Sequence, residues 1–274
     1  MAKSMQTTVT LEKIAARAGC SVSTASRVIN GKGPVSAETA RRVRRAATEM
    51  GYTVSVAERS AGEVRGRATI GVLVPSISNP VFSASLGGIQ QRMQTAGLGV
   101  LMALSNYEPG EESAAVATLL VQRPLGLLLT LCNPAKSQVQ RLQLPATVLL
   151  NNLPRPGFPA AVTVDNLAAG RDITGFMIGK GHRRILFVSG HFASSDRAFL
   201  RYSGYCEAMT EAGFSPLPPL EIGFVDGFDN LDLIGALDHH RPTAIIGSND
   251  LVALGVIGAL RRQGMTVPDD ISVA

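Results

Sequence analysis

Apolar residues near the start of the chain recur three and four positions apart. Leu11, Ile14, Ala15 and Ala18 make one helical stripe, and Gly19 follows where a glycine can close the helix in the left-handed conformation. Ser21 then stands as an N-cap, its hydroxyl able to accept from a free backbone N–H. The next stripe buries Ala25, Val28 and Ile29 and turns Val22, Ser23, Ser26 and Arg27 outward, with Asn30-Gly31 ending it. Ser36 opens a third helix running to Met50, with Val43, Ala46, Ala47 and Met50 on its apolar face and Gly51 to close it. Two short helices across a Gly-containing turn form a helix-turn-helix, whose second helix fits the DNA major groove. A small helical hairpin in a core has the same pattern, so spacing alone leaves both readings open.

Residues 53–67, TVSVAERSAGEVRGR, are small and polar and read as a linker. From Ala68 the pattern changes to short apolar runs alternating with helical ones. ATIGVLVP, GVLMAL, GLLLTL and PATVLL read as buried strands, with helices over Val81–Ala96 and Glu111–Gln122 between them. After PRPGFPAAVTVDN a second series begins. It has helices over Ala168–Lys180, Arg201–Ala212, Leu231–His239 and Leu251–Gln263, and strands in RILFVSG, Leu220–Phe224, TAIIGS and DISVA. Strand alternating with helix predicts parallel doubly wound sheets in two successive α/β lobes. The expected division is 1–52 for the helical unit, 53–67 for a hinge, 68–160 for the first lobe and 161–274 for the second.

Charge sharpens this division. Residues 1–67 carry 12 Lys/Arg against 5 Asp/Glu, whereas 68–274 carry 14 against 16. A basic end on a near-neutral body is the electrostatic footprint of a DNA-reading module attached to something else. Arg41, Arg42, Arg44 and Arg45 also fit a merely solvated face. Cys20, Cys132 and Cys206 are odd in number and far apart, which indicates neither a disulfide framework nor a zinc site and fits a reducing cytoplasm. MAKSMQTTVT lacks the apolar run of a signal peptide, and no long apolar stretch suggests a membrane span. G-x-S-x-G, H-E-x-x-H and G-x-x-x-x-G-K-[ST] do not occur, so no catalytic residue, metal ligand or cofactor is expected.

Ligands of open α/β sheets sit beyond the carboxyl ends of the strands. Asn79 and Phe82 follow the first strand, Asn133 the third, and Asn151 and Asn152 the fourth. Arg201 opens a helix after the second lobe's first strand, and Asn249 and Asp250 follow TAIIGS. Asn can donate and accept, as polyol hydroxyls require, Phe82 can cover a sugar's apolar face, and Arg201 can fork onto a carboxylate, phosphate or vicinal hydroxyls. Each Asn could equally make an ordinary strand-end turn, and Asp250 reads best as the cap of the following helix. Arg197, four residues before Arg201, competes for its role.

The words VTLEKIAARAG, SVSTASRVINGKG, VSAETARRV and MGY closely resemble the DNA-binding headpiece of the lactose-repressor family, and the likeness runs through nearly the whole chain. The resemblance implies a headpiece joined to a periplasmic-binding-protein-like core whose second lobe continues in the family past DISVA. It implies a sequence-specific transcription regulator, most simply a repressor, controlled by a small molecule such as a sugar or sugar acid. By position in the family motif, Val22, Ser23 and Arg27 face base edges, while Thr10, Ser21, Thr24, Ser26, Asn30 and Thr39 contact phosphates. A surface ion pair of Arg27 with Glu38 or Glu49 is the other reading. Ser55, Ala57 and Ala61 fall in the family's hinge helix, with Ala61 where a groove-wedging leucine is expected. In the family and its sugar-binding relatives, Asn79, Phe82, Asn133, Asn151, Asn152, Arg201 and Asn249 contact ligand. Gly204-Tyr205 completes an R-x-x-G word that sets the register of Arg201. A homodimer on a pseudo-palindromic operator is the implied assembly. The rivals are a sugar receptor without DNA function, against which the headpiece speaks, and an α/β enzyme, against which the absent motifs speak.

Overall fold

The computed structural model describes residues 10–30, 33–50, 68–224 and 230–274, which fall into two compact units, 1–67 and 68–274. The hinge candidates Ser55, Ala57 and Ala61, and the predicted stop Gly51, lie outside the described residues. Among the described residues the first unit holds three helices: α1 (Leu11–Ala18), α2 (Val22–Asn30) and α3 (Ala37–Glu49). Gly19 closes α1 at φ 63°, a left-handed conformation that a side chain would disfavour. Ser21 Oγ accepts from Thr24 N at 3.1 Å and Ser36 Oγ from Thr39 N at 3.3 Å, starting α2 and α3. Ile14, Ala15, Ala18, Ala25, Val28, Val43, Ala46 and Ala47 form the common core. Five of these eight are alanines, so the helices can approach closely around one fully buried isoleucine, Ile14.

Among the described residues the second unit contains two all-parallel sheets. In the first lobe, β1 (Thr69–Val74), β2 (Gly99–Leu104), β3 (Gly126–Leu129), β4 (Ala146–Leu150) and β5 (Ala161–Val162) lie in the order β2-β1-β3-β4-β5. Helices α4 (Pro80–Thr95) and α5 (Glu112–Val121) connect the first three strands. Alternate residues of β1 point to opposite faces. Leu73 packs with Val116 and Leu119 of α5, while Val72 and Val74 pack with Phe82 of α4 and with Tyr107. The first sheet takes in Ala161–Val162, so its last strand lies two residues past the boundary expected at 160.

The second lobe has β6 (Ile185–Gly190), β7 (Leu220–Ile222), β8 (Ala244–Gly247) and β9 (Ser272–Val273) in the order β7-β6-β8-β9. Its helices are α6 (Asn166–Gly179), α7 (Asp196–Glu211), α8 (Ile234–His240) and α9 (Asp250–Arg262). Leu186, Val188 and Ile245 face Val252, Val256 and Leu260 of α9, and Ile185, Phe187 and Ile246 face Met177, Tyr205 and Met209 of α6 and α7. Helix α7 begins five residues before the expected Arg201, because Ser195 caps it by accepting from Ala198 N at 3.3 Å. Asn249 caps α9, accepting from Val252 N at 3.0 Å, so the cap expected at Asp250 falls one residue earlier.

Helices α6 and α7 meet backbone to backbone at two glycines. A Cβ on Gly170 would lie 2.1 Å from Arg201 O, and one on Gly204 would lie 2.1 Å from Leu167 O. Neither neighbour is a flexible side chain that could move aside. Gly204→Ala should therefore cost about 1–3 kcal/mol through overpacking, read as a lowered denaturation midpoint. An unchanged midpoint would mean that the helices do not cross this closely.

Candidate functional site

The outward face of α2 carries the expected DNA-reading residues. Val22 is 43% exposed, Ser23 and Arg27 are exposed, and Thr24 and Ser26 are half-buried. Ser21 Oγ lies 2.9 Å from Ser23 Oγ and 2.8 Å from Thr24 Oγ1, so three hydroxyls gather at the helix N-terminus, where free N–H groups favour phosphate oxygens. Thr10 is exposed before α1, Asn30 ends α2, and Thr39 Oγ1 accepts from Ser36 Oγ at 3.0 Å in the first turn of α3. Arg27 makes no ion pair among the described residues, Glu38 and Glu49 included. Glu49 is engaged instead by Arg17 at 3.0 Å and Arg45 at 2.9 Å. Arg41, Arg42 and Arg44 remain exposed.

In the second unit a cleft of about 230 Å³ opens at the carboxyl ends of the strands of both lobes. Asn79 and Phe82 reach it after β1, Tyr107 after β2 and Asn151 after β4. From the other lobe come Ser195, Arg197 and Arg201 after β6, Phe224 after β7, and Ser248, Asn249 and Asp250 after β8. Val164 and Asn166 complete the wall where the chain passes between lobes. Phe82 is buried and tilts against Tyr107 with ring centroids 6.3 Å apart. Tyr107 in turn stacks on Phe224 at 4.2 Å with planes 8° apart, an aromatic contact between lobes worth about 0.5–1.5 kcal/mol beyond its buried area. Only a glycine at 190 leaves room for the Phe224 ring, since a Cβ there would come within 2.3 Å of it.

Arg197 and Arg201 stand four residues apart on α7, hence on one face of the helix. Arg201 Nε donates to Asn166 Oδ1 at 3.0 Å and its Nη1 to Ser248 O, which leaves Nη2 without a partner among the described residues. Burial, and then the neighbouring Arg197 charge, push the Arg201 pKa down. Arg197 is 8% exposed, and its Nη1 donates to Leu131 O at 2.8 Å and to Asp196 Oδ1 at 3.1 Å. Burial raises the Asp196 pKa, opposed by Arg197 and by a bond from Asn152.

Two expected ligand residues are engaged elsewhere. Asn133 Oδ1 accepts from Ala135 N at 2.9 Å in a turn, and the residue borders a separate hollow beside Pro134, Arg155 and Phe199 instead of the cleft. Asn152 is 1% exposed. It clamps Leu131, accepting from its N and donating to its O, both at 2.9 Å, and also donates to Asp196 Oδ1 at 2.9 Å. Cross-strand and inter-lobe bonds thus consume its polar atoms. Tyr107, Asn166, Ser195, Ser248 and Phe224 line the cleft but were not expected there. The strand-end rule that singled out Asn79 applies equally to Tyr107 and Ser248. Nothing in the sequence marks Asn166 or Phe224, whose placement depends on the lobes coming together. Among the described residues, no group of three or more His, Cys, Asp or Glu side chains could hold a metal ion, and no helix is long and apolar enough to cross a membrane.

A chain that couples a helix-turn-helix unit to a two-lobed cleft of this kind is a ligand-responsive transcription regulator. Residues 10–55 match the profile of bacterial regulatory proteins of the lacI family, and residues 67–274 match that of periplasmic binding proteins and the sugar binding domain of the LacI family. The chain belongs to the LacI family and is a DNA-binding regulator, not an enzyme. It is 32% identical over 273 residues to the ribose operon repressor of Escherichia coli strain K12, covering 96% of this chain and 81% of that protein. It is 30% identical over 280 residues to the transcriptional repressor CytR of the same strain, covering 99% and 81%. Among solved structures it is similar to the lac repressor dimer bound to operator and the anti-inducer ONPF, with 27% identity, a TM-score of 0.64 and coverage of 97% and 82%. A CelR–cellobiose complex is also similar, at 27% identity and a TM-score of 0.59 with the same coverage.

The two reassigned asparagines differ in what their loss should do. Asn152→Ala leaves Leu131 N without its side-chain acceptor and Leu131 O with Arg197 alone as side-chain donor, and should lower stability by about 1–3 kcal/mol in chemical denaturation. Asn133→Ala should leave ligand affinity within about threefold of wild type, since it removes only a turn bond. A large loss of ligand binding in Asn133→Ala would return that residue to the site.

Proposed function

We propose that the chain represses transcription from a pseudo-palindromic operator as a homodimer in the cytoplasm, and that a sugar or sugar derivative bound between the lobes sets its DNA affinity. In this reading Val22, Ser23 and Arg27 meet base edges, while Thr10, Ser21, Thr24, Ser26, Asn30 and Thr39 position the headpiece on phosphates. Ser55, Ala57 and Ala61 belong to the connecting hinge. Arg27 supplies bidentate recognition of a guanine. Arg27, exposed on α2 and without an ion pair among the described residues, and the lac repressor relative, solved as a dimer on operator, support the DNA half. Three free thiols suit a reducing compartment.

The ligand half rests on one observation. Arg201 is held by Asn166 and Ser248 with Nη2 left over, so the guanidinium is oriented in advance in a partly buried cleft. Phe82, Asn79, Asn151 and Asn249 complete the ligand-facing set. The volume is below the range of about 300–1,000 Å³ typical of drug-sized ligands, which favours something as small as a monosaccharide. A ligand that binds one arrangement of the lobes better than another shifts their equilibrium and thereby the DNA-binding state.

Mobility shift with genomic fragments, with and without candidate sugars, tests the whole reading. Arg27→Ala should weaken operator binding by about 1–3 kcal/mol and relax preference at one guanine. Equal loss on operator and on random DNA would make Arg27 a phosphate contact. Arg201→Ala and Arg201→Lys should both abolish the effector response, because an ammonium cannot reproduce the fork that Asn166 and Ser248 hold. A normal response in Arg201→Ala would refute the ligand site.

A further inference from the structure

The polar atoms of the cleft are unequally committed. Asn79 Oδ1 accepts from Val81 N at 3.2 Å and Asn249 Oδ1 from Val252 N at 3.0 Å, so both asparagines use their acceptor oxygen to cap a helix. Asn79 Nδ2 donates to the Tyr107 hydroxyl at 3.3 Å, which leaves the tyrosine proton to be given elsewhere. Among the described residues, Ser248 Oγ and Arg197 Nη2 are both buried with no partner, and Arg201 Nη2 is uncommitted. The groups that remain are mostly donors. Against them stand the Asn151 amide, which can do both, and Asp250, which is exposed and pairs with no Lys or Arg within 4.0 Å among the described residues. Among the described residues Arg201 hydrogen-bonds only to neutral oxygens and feels Asp250 without an ion-pair contact, so two guanidiniums one helical turn apart have a single contact carboxylate, Asp196.

A sugar hydroxyl must donate as well as accept, whereas a carboxylate or phosphate only accepts. We infer that the effector carries a carboxylate or phosphate group, and that Arg197 is the residue that selects this anion over the neutral sugar. The inference rests on the effector-binding role proposed above for the same cleft. An anion seated there gives Arg197 Nη2 and Ser248 Oγ an acceptor and balances the charge of the half-buried Arg201, in charge-assisted bonds stronger than neutral ones.

Calorimetric titration of the full chain with glucose, gluconate and glucose 6-phosphate, and with ribose, ribonate and ribose 5-phosphate, tests this. At least one anion should bind about tenfold or more tighter than its neutral parent, and whether it is the acid or the phosphate ester identifies the group. Arg197→Gln should bring the pair within about threefold, and Arg197→Lys, which keeps the charge without the fork, should restore part of the preference. If the glutamine variant does not fold, the wild-type preference and the lysine variant still decide. Neutral parents binding as tightly as their anions, a preference that survives Arg197→Gln, or no binding by any anion would each overturn the inference. Neutral sugars that bind and alter operator retention would do so while leaving the proposed function intact. If none of the six compounds altered operator retention and Arg201→Ala changed nothing, the cleft would lose both roles.

Discussion

Every helix begins with backbone N–H groups that no earlier turn can satisfy, and in this chain side-chain oxygens answer that demand wherever a helix starts beside the cleft. Asn79, Asp165, Ser195 and Asn249 each give an acceptor to α4, α6, α7 and α9. In parallel sheets these helix starts follow the strand ends, so they coincide with the place where ligands bind. The polarity of the cleft follows from that coincidence. The Asn79 and Asn249 oxygens each give one lone pair to a helix start, while Arg197 Nη2 and Arg201 Nη2 keep donors without a partner among the described residues.

The same helix that presents both arginines also ties the lobes together. Asp196 N donates to Cys132 O at 2.7 Å, Arg197 Nη1 reaches Leu131 O, and Asn152 reaches back to Asp196. Glycines 170 and 204 let α7 settle against α6 at backbone distance, which fixes the height at which the guanidiniums project. Ligand recognition and lobe contact therefore share one rigid element and are not separable by distance along the chain.

Much of this was legible in the sequence. The helical stripes of the headpiece, the alternation of strand and helix and the two-lobe division follow from periodicity, because burial on one face or on both leaves different spacings. The start of α7 was not legible. Ser195 caps it only because the turn before it places that hydroxyl within reach, and the five extra residues are what bring Arg197 into the cleft beside Arg201. Asn133 and Asn152 show the limit of a rule based on residue type. Both stand at strand ends and both could meet a ligand, but turn and cross-strand partners reach them first. The same competition occupies one lone pair of the Asn79 and Asn249 oxygens with helix starts.

The lobe-to-lobe bonds made by α7 end on main-chain oxygens of residues 131 and 132. No substitution at those two positions, short of a change in backbone path, removes the acceptor. The receiving half of these bonds is therefore insulated from sequence drift, whereas on the donating side Arg197 also lines the cleft and cannot be exchanged without loss of its bond to Leu131 O. A lineage built on this chain could alter wall residues other than Arg197 and keep both main-chain acceptors of the joint.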